Sequence, residues 1–380
     1  MNRFFSKVKI FFNNINRSWK KRYYPIIFSL LGAFVLSVVL ICVIPEQKHI
    51  THKDETSESG WPVQVVAPYV DLSSWVPLTN EYSYNGVASL GDIMDDTNLK
   101  YFNLGFINPG TNRPFNSDGS INWCWGGYEE LSEKSNDGFQ YEGIKQAISG
   151  VRSRGGDVCI SIGGQLGKAP WVVSQNKDKL KNMYLDIIKT YDLKRLDLDI
   201  EESNQDQYQN IINAQAIKEV QDATNIELTL TIPIMPDGWH DKQLKILHAY
   251  IGQDVNVKLI NCMTMCYGGG LLDGEDYGTA SVRAMKNAKD QLTTLYRDYN
   301  RNLSTDEAYL MLGSTVDIGY ESYLYPTFTT NMTKTVVDHA IENNYGMVSY
   351  WSINRDAKLE TNSGINNKFE FIKELKRFTA

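Results

Sequence analysis

Eight short runs rich in Val, Ile, Leu and Thr alternate with helix-period segments over about 315 residues, and few folds accept that pattern. The runs cover residues 63–70, 101–107, 157–164, 195–201, 227–235, 257–267, 309–317 and 346–354. Helical periodicity fills 143–154, 177–191, 208–223, 241–251, 280–300 and 332–344, and a last helix is expected at 367–378. Apolar strands of this kind suit a parallel sheet covered on both faces. Eight of them alternating with helices predict an α/β (β/α)8 TIM barrel. The competing open doubly wound sheet calls for a glycine-rich phosphate loop after the first strand, and Tyr69, Val70 and Asp71 offer none. In a barrel the chemistry gathers where strands end on their C-terminal side. Glu201, Gly163, Gly164, Tyr267 and the stretch from Trp351 to Asn354 fall there.

The N-terminus follows different rules. Residues 26–44 form an uncharged run of 19 between Pro25 and Pro45, and about 20 apolar residues span a bilayer as a helix. Arg3, Lys7, Lys9, Arg17, Lys20, Lys21 and Arg22 precede it without any acid, which predicts a cytoplasmic tail. The apolar run exceeds a usual signal-peptide core and no Ala-x-Ala-like site follows. The expectation is therefore a single-pass signal-anchor that contacts the lipid bilayer. Residues 1–25 would form the basic tail, 26–44 the transmembrane helix, 45–62 a polar linker, and 63–380 an extracytoplasmic catalytic barrel. After the tail come 31 of the 38 Lys and Arg but all 45 Asp and Glu, a balance that speaks against nucleic acid as a partner. Outside residues 26–44 only Cys124, Cys159, Cys262 and Cys266 remain, too few for a disulfide scaffold. If Cys262 and Cys266 share a strand, about 13 Å separates them and they cannot bridge. No zinc-type spacing is present and no cofactor or metal is called for.

Leu196-Asp197-Leu198-Asp199-Ile200-Glu201 alternates apolar and acidic residues with period two. On a strand this puts three carboxylates on one face and three aliphatic side chains on the other. Each negative charge disfavours ionisation of the next, so at least one pKa should rise, and a carboxylic acid protonated near neutral pH is what a general acid needs. A retaining glycosidase commonly flanks its sugar with two carboxyls about 5–5.5 Å apart. Asp199 and Glu201, two apart on one strand, are separated by roughly 6.6 Å along it and point the same way. Either the second carboxylate comes from another strand or the substrate supplies the nucleophile, as a 2-acetamido group can. Trp351 at the last strand end offers an indole face on which a sugar ring stacks, while Trp123, Trp125 and Trp239 in loops are candidates to extend a groove.

Together these residues resemble glycoside hydrolase family 18, the chitinases, and its bacterial chitinase-D-like branch, over residues 63–378. The motifs are Asp197-x-Asp199-x-Glu201, Ser161-x-Gly163-Gly164, Pro233-Ile-Met-Pro-Asp237-Gly238, Met263-Thr-Met265-x-Tyr267-Gly268 and Trp351-Ser-x-Asn354-Arg-Asp356. The resemblance implies substrate-assisted, retaining hydrolysis of β-1,4-linked N-acetylglucosamine polymers. It makes Glu201 the acid/base, Asp199 the residue that orients the acetamido group, Asp197 its partner and Tyr267 the hydroxyl that bonds the acetamido oxygen. Trp351 would floor the −1 subsite, with Met265, Gly163, Gly164, Trp125 and Asn354 as further substrate-binding positions. The chain departs from the pattern at three places. Lys194 and Arg195 stand where Asp-Gly is frequent, Cys266 stands where this branch often has Asp, and Glu202 stands where Gly is frequent. Alternatives are a non-catalytic glycan-binding barrel, an endo-β-N-acetylglucosaminidase acting on peptidoglycan or N-glycans, and a hydrolase holding Mg²⁺ or Ca²⁺ on Asp197 and Asp199.

Overall fold

The computed structural model describes residues 52, 55–132, 138–360 and 364–380. The first strand, β1, comes in two pieces, Val65–Val66 and Tyr69–Asp71. It is followed by β2 (Tyr101–Pro109), β3 (Asp157–Gly163), β4 (Arg195–Asp199), β5 (Glu227–Pro233), β6 (Val257–Met263), β7 (Leu312–Asp317) and β8 (Met347–Trp351). These strands pair in parallel, and spatial order follows sequence order. Val65 and Val66 pair with Met347 and Val348 of β8, whereas Tyr69, Val70 and Asp71 pair with Asn103, Leu104 and Gly105 of β2. The first strand is thus shared between its two neighbours, and the curled sheet returns on itself as a TIM-like α/β barrel. Pro68, which has no N–H to donate, stands at the changeover.

The helices between the strands are α1 (Leu90–Thr97), α2 (Phe139–Ser153), α3 (Lys177–Tyr191), α4 (Gln207–Thr224), α5 (Asp241–Ile251), α6 (Tyr277–Asp298), α7 (Thr330–Glu342) and α8 (Glu370–Leu375). Their sequences explain their limits. In α3 the buried residues Leu180, Met183, Tyr184, Ile187, Ile188 and Tyr191 recur at helical spacing. Asn176 caps its start by accepting from the Lys179 N–H, and Asp206 and Asp276 cap α4 and α6 in the same way. The sequence pattern did not predict α1. It is short and carries Gly91 and three acids, but its buried Leu90, Ile93, Met94 and Thr97 still make one apolar stripe.

The expected linker 45–62 ends sooner than its composition suggests. Residues 56–62 turn back on themselves, with Thr56 bridged to Pro62, and deliver Trp61 beneath the barrel. There Trp61 packs with Val65, Ala67, Cys159, Leu259 and Met347 at the N-terminal end of the strands. Its indole N–H donates to Asp157 at 3.0 Å, and the Arg195 guanidinium lies 4.6 Å over its ring. Arg195 is paired in turn with Glu227 at 2.7 Å. The expected membrane helix at 26–44 lies outside the described residues. Among the described residues no helix is long and apolar enough to cross a membrane.

Candidate active site

The alternation expected through Glu201 holds as far as Asp199, where β4 ends. Leu196 and Leu198 face the helix layer, and Asp197 and Asp199 point into the barrel. Asp197 is fully buried and saturated. One carboxylate oxygen accepts from Tyr69 at 2.8 Å and Ser161 at 2.6 Å, and the other accepts from Thr231 at 2.7 Å. The network continues through Asn261, which donates to Tyr69 and Thr231, and Thr315, which donates to Asn261. Burial pushes the Asp197 carboxyl up to about 6 against these three donors. Tyr69, Thr231, Asn261 and Thr315 escaped the sequence reading. Their signal was present, since each is a polar residue at an inward position of an otherwise apolar strand.

Asp199, one step nearer the mouth, has the opposite surroundings. It is 3% exposed and its Oδ1 has no hydrogen-bond partner. Burial raises its pKa well above the usual range, and the Glu201 and Asp197 charges add to that. Glu201 does not end the strand. It lies two residues past β4 on extended backbone, at the start of a 3-10 turn, Glu202–Asn204. It is partly exposed, and burial first, then the Glu202 charge, pushes it up to about 7. Glu202 sits at φ +46°, a left-handed conformation, which is the physical reason glycine suits that position.

An aromatic floor lies beside these carboxyls. Trp351 stacks on Phe106 with centroids 5.6 Å apart and an interplanar angle of 21°, and Tyr69 lies 6.3 Å away. Trp351 is partly exposed, as is Met265.

Several expected contacts belong elsewhere. Tyr267 is 2% exposed and turned into the helix layer, its hydroxyl on Ser281 of α6 at 3.1 Å, so no acetamido oxygen reaches it in this arrangement. Trp125 is wholly buried, with its indole N–H on Tyr191 at 2.9 Å. Trp123 and Trp239 are core residues too, at 5% and 2% exposure, and Trp123 donates to Asp186. Asn354, in the short helix Ile353–Asp356 after β8, clasps the backbone of Asp71 in both directions at 3.0 and 3.1 Å. Gly163 and Gly164 are buried, and neither has free room for a side chain. A Cβ on Gly163 would lie 2.1 Å from the Asp199 carbonyl, and one on Gly164 would lie 3.1 Å from the Phe106 ring. Cys266 falls beyond β6, at φ +52°, so the two cysteines do not share a strand.

No protein-family model matches the chain. A probable bifunctional chitinase/lysozyme of Escherichia coli (strain K12) is 30% identical over 323 residues, covering 81% of this chain and 32% of that protein. Endochitinase 11 of Metarhizium anisopliae is 28% identical over 314 residues, covering 79% of this chain and 54% of that protein. The chain thus spans between a third and about half the length of these curated relatives. Among solved structures, the catalytic domain of the hyperthermophilic chitinase from Pyrococcus furiosus superposes with a TM-score of 0.67 at 23% identity, covering 83% of this chain and 95% of that one. The likeness supports the barrel fold.

Proposed function

We propose that the chain is a glycoside hydrolase of family 18 that cleaves β-1,4 bonds in N-acetylglucosamine-containing glycans with help from the substrate's own acetamido group. One observation carries this reading: three carboxyls at alternate positions, two on β4 and one just past its end, meet three different environments. Asp197 is saturated with hydroxyl donors, Asp199 is buried with a bare oxygen, and Glu201 is an acid of pKa about 7 at the rim. In the proposed reaction protonated Glu201 gives its proton to the glycosidic oxygen as the leaving sugar departs. The acetamido oxygen attacks the anomeric carbon, and the Asp199 Oδ1 accepts the acetamido N–H. Glu201, now a carboxylate, takes a proton from water as that water opens the cyclic intermediate, so configuration is retained. Asp197 positions Asp199 from below, and Trp351 supports the apolar face of the sugar.

The similarity to chitinases, and to a protein named as both chitinase and lysozyme, supports chitin-type oligosaccharides first and peptidoglycan second. The membrane anchor at residues 26–44 would hold the barrel outside the cell. Protease accessibility of the barrel on intact cells tests that placement.

The main test uses the full chain in detergent with fluorogenic di- and tri-N-acetylglucosamine glycosides, beside Glu201→Gln. The parent should release fluorophore, and the variant should lose at least 100-fold in kcat, the scale of general acid catalysis. A variant as active as the parent would sink the reading.

A further inference from the structure

The end of β7 carries a carboxyl that this mechanism leaves unused. Thr315 faces the barrel interior, where its hydroxyl donates to Asn261 at 2.8 Å. Alternation puts Asp317, the last residue of β7, on the same inward face and one step nearer the mouth. Its register partner on β8 is Trp351, the proposed sugar platform. Asp317 is 9% exposed. Its Oδ1 is held by the Arg355 guanidinium, which also holds Glu321 and lies 3.6 Å from Glu360. Its Oδ2 accepts from the Cys266 thiol at 3.6 Å, a weak donor, and Glu321 also hydrogen-bonds this carboxyl. The carboxyl stands beside the partly exposed indole of Trp351, at the same end of the barrel as Asp199.

The position of Cys266 sharpens the point. From φ +52° just past β6 it brings its thiol onto a carboxylate of the next strand. Burial pushes Asp317 up to about 7. Arg355 opposes the shift and Glu321 adds to it, and Tyr277 of α6 also faces the pair formed with Cys266. A carboxyl in that range accepts from a hydroxyl when ionised and donates when protonated.

We infer that Asp317 is a further substrate-contacting residue, whose Oδ2 hydrogen-bonds a hydroxyl or amide group of the N-acetylated sugar seated over Trp351. This rests on the glycan reading above, with the aromatic face taking the sugar's apolar side and the carboxyl its polar edge. Arg355 is the positioning residue. It fixes Oδ1, and with Glu321 and Glu360 beside it the guanidinium keeps carboxylate partners when Asp317 is shortened.

The test is calorimetric titration of tri-N-acetylchitotriose into the full chain in detergent, with Glu201→Gln in every protein so that nothing is cleaved. Adding Asp317→Ala should weaken binding at least tenfold, with a melting temperature that shows a folded barrel. If the alanine variant fails to fold, Asp317→Asn serves, and should bind at least threefold more weakly. Binding within twofold of the parent in a folded variant would overturn the inference. In the Glu201-intact chain the loss should appear in KM more than in kcat. A parent that cleaves while Asp317→Ala binds normally removes this inference and keeps the hydrolase. A parent that binds through Asp317 but never cleaves does the reverse, and a parent that does not bind overturns both.

Discussion

At the scale of single residues, Glu201 links function to stability with opposite signs. Folded, it keeps its proton up to about pH 7; unfolded, a glutamate releases it near 4.3. Between those values the unfolded chain gives up a proton that the folded chain holds, so stability falls as pH rises and the loss is complete above about 7. Glutamine carries no such cost. Glu201→Gln should therefore abolish activity yet unfold at higher denaturant, by about 1–3 kcal/mol at pH 8. The gap should open between pH 4 and 7 and then level off. Denaturant titrations of both proteins at pH 4, 6 and 8 check this, and equal stability at pH 8 would contradict it. Activity of the parent should fall above pH 7 as the acid ionises. The three carboxyls were legible because period-two alternation is a local signal. Their separate environments were not, since Tyr69, Ser161 and Thr231 reach Asp197 from three other strands. The misplacement of Tyr267 has the same origin. The strand period stops at Met263, and beyond it side-chain direction depends on turn geometry that spacing does not encode.

At the scale of elements, Gly163 ties β3 to β4. It sits at φ +117°, and a methyl group there would meet the Asp199 carbonyl at 2.1 Å, a backbone atom with nowhere to go. Gly163→Ala therefore has to part the two strands where Asp199 leaves β4. We expect a loss of more than about 3 kcal/mol from strain and overpacking together. Activity should fall further than the unfolded fraction explains, because Asp199 moves with its strand. Gly155→Ala is the matched control, since its φ of +72° strains alanine while a methyl group there meets nothing within 4 Å. It should cost about 1–2 kcal/mol and leave activity per folded molecule unchanged. Equal effects at both positions would show that backbone angle alone matters. The sequence reading put Gly163 at a strand end and is silent on Gly155, because spacing alone cannot separate a sterically crowded glycine from an open one. For the same reason the eight strands and most helices were readable from periodicity, while α1, eight residues with Gly and three acids, needed the packed sheet to reveal its apolar stripe.

At the scale of the whole molecule, the barrel separates its two ends, and Trp61 makes that separation testable. Composition assigns residues 45–62 to a linker, because the run is polar and aperiodic. What holds Trp61 lies far away in sequence: Asp157 on its indole nitrogen, Arg195 over its ring and Tyr101 at a centroid distance of 4.7 Å. No local pattern announces contacts with three different strands. All three partners sit at or beside strand starts, whereas Asp199, Glu201 and Trp351 sit at or beyond strand ends. Trp61→Ala removes a buried indole, a hydrogen bond and a cation–π contact, and leaves Arg195 with Glu227 alone. Losses of about 3–5 kcal/mol are usual for such a truncation. The barrel transmits little of that to its mouth if the two ends are independent layers, as conservation of stability below and chemistry above implies for this architecture. We therefore expect a lower denaturation midpoint with kcat and KM per folded molecule within about twofold of the parent. A Trp61→Ala protein that stays stable but loses activity would mean that the lower layer sets the spacing of the carboxyls at the mouth.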